Sequence, residues 1–175
     1  MLKEQDARKD SLLSVAKDMM IAARTAPKGK GVDNLEIVTL TGDDLQKLSS
    51  EMRRLSEING FKFYLRDANN VDVADAVVVI GTRYGVFGLD CGFCGFPTCS
   101  AKAEAGEGVP CAFNTTDLGI AVGSAASVAM DHRVDTRIMY SAGDAAMHLG
   151  FVGDTRAAFA ILMSSTGKNP FFDRK

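Results

Sequence analysis

The chain's four cysteines fall within a single stretch of 21 residues, as Cys91-x2-Cys94-x4-Cys99-x11-Cys111. Disulfides stabilise by joining distant segments, and none of these cysteines lies far enough from the others to do so. Metal binding is the better use of such a group. Three thiolates bunched on one loop and a fourth from further along the chain can reach the four corners of a cubane cluster. Four thiolates also bind zinc, but structural zinc sites usually present two short knuckles, whereas here eleven residues separate Cys99 from Cys111. The pattern therefore predicts one 4Fe-4S cluster on Cys91, Cys94, Cys99 and Cys111. A structural zinc ion and a reactive dithiol are the alternatives.

The residues between the cysteines suit a cluster. Gly92 and Gly95 directly follow two of them, so the backbone can curl there and turn N–H groups toward sulfur with no Cβ in the way. Phe87, Phe93 and Phe96 are the candidate apolar shield, with Pro97 and Pro110 stiffening the loop. Ordinary loop packing is the plainer reading of each.

The rest of the chain reads as alternating helix and strand. Apolar residues at positions 12, 13, 16, 19, 20 and 23 form a helical stripe ending near Arg24. A basic glycine turn follows, Pro27-Lys28-Gly29-Lys30-Gly31, and then a β-rich run from Leu35 to Leu40. Thr41 with Asp44 resembles a capping box for a second helix carrying Leu45, Leu48, Met52, Leu55 and Ile58 up to Asn59-Gly60. Residues 76–80, Ala-Val-Val-Val-Ile, are apolar on both faces and predict a central strand covered on both sides. The predicted order to this point is α-β-α-β.

Residues 85–110 are glycine-rich with little apolar periodicity. Residues 117–130 form a helix rich in glycine and alanine, a composition that allows close backbone approach and predicts burial or a subunit contact. A short strand at 137–140, a helix at 142–149 and a last strand at 157–163 complete the chain, and the tail leaves Phe171 and Phe172 exposed unless it docks. One domain is expected over 1–175, with the cluster loop over 85–115.

Composition excludes several partners. The 20 basic and 22 acidic residues nearly cancel and form no long run of like charge, which argues against nucleic acid. No apolar stretch approaches 18 residues, and the charged N-terminus lacks a signal-peptide pattern. These features predict a soluble, cytoplasmic chain with no membrane partner.

Three resemblances follow from particular residues. Cys91-Gly92-Phe93-Cys94-Gly95-Phe96-Pro97-Thr98-Cys99 resembles the C-G-x-C-G-(Y/F)-P-x-C signature of small 4Fe-4S domains found in corrinoid iron-sulfur proteins. It departs at the close, where that family has C-x-P-G-G and this chain has Cys111-Ala112-Phe113-Asn114. Segment 23–31, the cysteine loop and segment 167–174 together resemble a prokaryotic family described as ferredoxin-domain-containing proteins. Ile21-Ala22-Ala23-Arg24-Thr25-Ala26-Pro27 is similar to the A-A-R-x-A-P-S segment of flavin nitroreductases, whose fold is an α+β homodimer with FMN at the subunit interface. The phosphate-binding R-R-S-x-R stretch of those enzymes is absent, as is the N-x-Q-P-W segment.

This likeness implies an α+β fold, a nitroreductase-like central sheet flanked by helices with the iron-sulfur loop inserted, and a homodimer whose central helix is 117–130. If FMN binds, Lys28, Lys30 and Arg174 are the phosphate ligands it implies. A solvated basic turn is the plainer reading of Lys28 and Lys30, and they can also lie near the cluster and offset its charge. His132 and His148 are isolated, and no hydrolase constellation is present. The first expectation is an electron-transfer protein with an unnamed redox partner protein. An FMN-dependent oxidoreductase with the cluster as relay is the second, and a zinc-stapled binding module the third.

Overall fold

The Ala-Val-Val-Val-Ile run is the centre of the molecule. In a computed structural model that describes residues 1–172, it forms strand β2 (Ala76–Thr82), and every residue of that strand is buried. Around it lie α1 (Glu4–Thr25), β1 (Leu35–Leu40), α2 (Asp43–Asn59), α3 (Phe63–Asp72), α4 (Cys99–Glu104), α5 (Ala112–Asp131), β3 (Asp135–Met139), α6 (Tyr140–His148) and β4 (Ala157–Ser164). The sheet order is β1-β2-β4-β3 and every neighbouring pair is antiparallel.

Strand alternation sends side chains to two cores. Ala76, Val78, Ile80, Ile161 and Met163 meet α1 and α5 on one face, and Val77, Val79, Ala160 and Leu162 meet α2, α3 and α6 on the other. The result is an α+β arrangement of three layers with helices on both faces of the sheet, as the doubly apolar strand predicts.

The small-residue helix is α5, and its inner stripe of Leu118, Ala121, Val122, Ala125 and Ala129 is buried against α1. The close approach lets Ser124 Oγ donate to the Ala22 carbonyl across the two helices, at 3.1 Å. The outer side of α5 carries Gly119, Ile120, Gly123 and Met130, all exposed.

Several expectations need correction. The order is α-β-α-α-β, because residues 63–72 form α3, which buries Tyr64, Ala68 and Val71 at helical spacing. The N-cap of α2 is Gly42 with no side-chain bond, so Thr41 and Asp44 make no capping box; Asp44 instead accepts from Lys47 Nζ at 2.7 Å. The first turn of α2 bonds to backbone instead, the Asp44 and Leu45 N–H groups donating to the Thr41 and Gly42 carbonyls at 3.2 and 3.1 Å. Helix α5 begins five residues earlier than expected, at Ala112. The tail docks in part: Phe171 is 1% exposed in the core under α2, α3 and α6, while Phe172 stays exposed beneath the Arg137 guanidinium, 5.1 Å from its ring centre.

Helix α6 lies on β4 at Gly143, where a Cβ would strike the Ala158 carbonyl and approach Phe159 Cα to 2.8 Å. The obstacle is backbone and cannot rotate away. Gly143→Ala should destabilise the protein by about 3 kcal/mol or more, the upper range for overpacking, read as a lower urea midpoint at unchanged m-value.

Candidate functional site

The cysteine loop leaves the sheet at the end of β2 and returns to the chain at the start of α5, and a single side chain closes its mouth. Asn114 is 1% exposed, and its Oδ1 accepts the N–H of Gly85 at 3.1 Å and that of Cys111 at 3.2 Å. Both ends of the loop are thus held by one carbonyl oxygen. The Asn114 Nδ2 group is buried without a hydrogen-bond partner.

Cys111 is the N-cap of α5 and is buried, Cys94 and Cys99 are half-buried, and Cys91 is exposed. All four are free thiols. They line one concavity together with Phe87, Phe96 and Phe113. Cys111 sits at the N-terminal, positive end of a 20-residue helix. Gly92 and Gly95 adopt left-handed backbone, φ 70° and 85°, and the Gly95 N–H donates to the Gly92 carbonyl at 2.9 Å in the turn that carries Cys94. The Asp90 N–H points at Cys99 Sγ from 3.4 Å, while the Cys99 N–H donates to Asp90 Oδ1 at 2.6 Å. Thr98 starts α4 by accepting the Ala101 N–H at 3.1 Å.

The expected shield is partly reassigned. Phe87 is buried and Phe96 lines the concavity, but Phe93 is 65% exposed and only edges onto Phe113, with ring centres 5.8 Å apart. Phe113 stands on the wall instead, 5.6 Å from Phe87. It lies two residues after Cys111, so an aromatic beside the last cysteine was visible in the sequence.

The basic turn packs onto this wall. A Cβ at Gly29 would come within 3.0 Å of Phe113 and 3.2 Å of Phe87, so a larger residue there would need both rings to give way by a few tenths of an ångström. The Gly29 N–H donates to both Asp117 carboxylate oxygens, at 3.1 and 3.0 Å. Burial pushes the Asp117 carboxyl up, and the Gly29 bond and Lys28 pull the other way. Lys30 Nζ donates to the Phe87 carbonyl at 2.9 Å, beside the cysteine concavity. Lys28 Nζ is committed elsewhere, to the carbonyls of Ala23, Arg24 and Ala26 at the end of α1, at 3.1, 2.6 and 2.7 Å. Arg174 lies outside the described residues.

Among the described residues no three His, Cys, Asp or Glu side chains converge as they would around one metal ion. Thiolates on a single zinc converge closely, because each bond is only about 2.3 Å. Four thiols lining one concavity with aromatic walls are a donor set that a single zinc ion and an iron-sulfur cluster both use.

Comparisons with known proteins bear on the same residues. Residues 107–174 match the family described as "Uncharacterized protein containing a ferredoxin domain (DUF2148)"; the matched segment holds Cys111 and begins after the other three cysteines. An uncharacterized protein of Archaeoglobus fulgidus is 39% identical over 181 residues, covering 99% of this chain and 97% of its own. Nitroreductase A of Vibrio parahaemolyticus superposes with a TM-score of 0.57 at 14% identity, over 93% of this chain. The chain spans only 62% of the length of that nitroreductase. A Desulfitobacterium hafniense nitroreductase with bound FMN gives 0.56 at 14% identity, over 99% of this chain and 85% of its own. The fold is that of the nitroreductases.

Removing the clasp should loosen the loop without touching a thiol. Asn114→Ala leaves two N–H groups without their acceptor, and a loss of about 1–3 kcal/mol in urea unfolding is expected, with faster protease cleavage inside 85–110. Unchanged cleavage would show that the loop is held by something else.

Proposed function

The chain belongs to the family of uncharacterized proteins containing a ferredoxin domain, and on that premise we propose that it is an iron-sulfur electron-transfer protein with one 4Fe-4S cluster on Cys91, Cys94, Cys99 and Cys111. The observation that carries this reading is the meeting of all four thiols on one aromatic-walled concavity. When bound, such a cluster takes up and gives back single electrons. The protein's own groups set the conditions. Phe87, Phe96 and Phe113 limit water, and the start of α5 and Lys30 present positive charge to an anionic site. The Asp90 N–H bonds a ligand sulfur, and exposed Cys91 offers the shortest route to a redox partner protein. No side chain at the concavity has acid–base work in this scheme.

A second reading is favoured by the nitroreductase fold and by the FMN in the D. hafniense structure: an FMN-dependent oxidoreductase in which the cluster relays electrons. Lys30 and Arg174 are then the phosphate ligands to test, since Lys28 already has three carbonyl partners. Both readings go with a homodimer, which we assign to the outer face of α5, where nothing lies within 4 Å of a Cβ added at Gly119 or Gly123. No described helix is long and apolar enough to cross a membrane, and we assign the protein to the cytoplasm, where its four thiols stay reduced.

Anaerobic purification should give a brown protein with about four iron and four sulfide per chain, and Cys91→Ser should lose most of that iron. Flavin released on denaturation selects the second reading, and stoichiometric zinc without iron refutes both. Gly123→Arg should halve the mass measured by light scattering while leaving the circular dichroism unchanged. A chain that is already monomeric, or a variant that stays dimeric, contradicts the assigned interface.

A further inference from the structure

Asp90 holds a backbone conformation that side chains rarely adopt. Its φ is 47°, in the left-handed region, and among the described residues only Lys30 and Arg133 share that feature without being glycine. Aspartate tolerates the region better than most residues but at a cost, and such strain persists where surrounding contacts over-determine it. Here the contacts are with one residue. The Asp90 N–H points at Cys99 Sγ from 3.4 Å, and Asp90 Oδ1 accepts the Cys99 N–H at 2.6 Å. Asp90 and Cys99 both line the cysteine concavity.

The N–H that Asp90 accepts has no partner within its own helix. Cys99 is the first residue of α4, and the first N–H groups of a helix find no acceptor inside it. Thr98 meets two further donors of that turn, its hydroxyl accepting the Ala101 N–H at 3.1 Å and its carbonyl that of Lys102 at 3.2 Å. The Cys99 donor falls to Asp90, which directly precedes Cys91. Two bonds thus close the chain from Asp90 to Cys99 into a ring, and Cys91, Cys94 and Cys99 all belong to it. Asn114 closes the loop at its base, and Asp90 closes the part that carries three of the four thiols.

We propose that Asp90 is a positioning residue for these thiols: it grips Cys99 by both backbone and sulfur, and so sets the third thiol against the first before any metal arrives. For the group that is bound, this rests on the iron-sulfur reading above; the grip itself belongs to the metal-free chain. A donor set already in place loses less conformational freedom on binding, so removing the grip weakens metal retention rather than the fold. An N–H held on a ligand sulfur also helps to set a cluster's potential, by stabilising the more negative, reduced form. The contrary role is a plain loop turn, in which the backbone shape at position 90 matters and the carboxylate does not.

Two variants of the full-length chain separate these roles. Asp90→Asn keeps an oxygen acceptor on a residue at ease in the left-handed region, whereas Asp90→Gly keeps the backbone shape and removes the acceptor. In the metal-free, reduced proteins, hydrogen exchange of the Cys99 amide is read by NMR. It should be about tenfold faster in Asp90→Gly than in wild type, as expected for one lost hydrogen bond to a charged group, and near wild type in Asp90→Asn. In the proteins loaded with iron and sulfide, Asp90→Gly should lose iron to a chelator about tenfold faster than wild type, and Asp90→Asn at near the wild-type rate. Both variants are uncharged at position 90, so their potentials compare directly, and that of Asp90→Gly should be the lower.

Melts of the three metal-free proteins should coincide, since Asp90 is exposed and the ends of the loop are held by Asn114. Equal Cys99 exchange in wild type and Asp90→Gly overturns the proposal, as does iron release at the wild-type rate in Asp90→Gly. A lower melting temperature of metal-free Asp90→Gly identifies a structural turn and also overturns it. If Asp90→Asn loses iron as fast as Asp90→Gly, the site needs the charge and not the grip, and the proposal fails again. If wild type holds no iron, the iron-sulfur reading has failed, and the Cys99 exchange rates still decide whether Asp90 grips Cys99.

Discussion

Everything near the cysteines is positioned by the double burial of β2. Ala76 to Thr82 are closed off from water on both faces, so the strand pairs with β1 on one side and β4 on the other and cannot slip by one residue without exchanging its two cores. Pairing continues just past its end, where the Arg83 N–H reaches the Asn34 carbonyl at 3.0 Å and the Arg156 N–H reaches that of Thr82 at 2.9 Å. The cysteine loop therefore departs from a fixed stem. It returns to α5, which is packed on α1 and on the same sheet. Between these two rigid supports the loop needs little regular structure of its own, and the Asn114 carbonyl joins its ends.

Positive charge lies beside the concavity from two sources. The start of α5 lies at Cys111, and Lys30 is held on the Phe87 carbonyl. Lys30 forms no ion pair with a carboxylate among the described residues, whereas Arg24, Arg53, Arg54 and Arg83 all do. Such an arrangement suits a bound anion. The fold is that of the nitroreductases, and the connection between β2 and α5 carries the four cysteines.

Much of this was legible from residue patterns because burial leaves a periodic trace. The β2 run, the β1 boundaries, the stripe of α1 and the cysteine spacing each combine one physical demand with an unambiguous residue type. What was missed lacks that combination. The Tyr64, Ala68 and Val71 face of α3 is regular, but exposed Phe61, Phe63 and Leu65 surround it and blur the stripe. The start of α5 was hidden because its N-cap is a cysteine rather than a serine, threonine or acid. Lys28 and Lys30 look alike in sequence, yet one closes a helix and the other faces the site, a difference made only by packing.

The central claim is that these four thiols hold a multi-iron cluster rather than a single ion. X-ray absorption of the anaerobically isolated protein at the iron and zinc edges tests it most directly. The account predicts an iron edge with a sulfur shell and a second shell of iron neighbours, which only a cluster supplies. A zinc edge with four sulfur neighbours and no iron would contradict it.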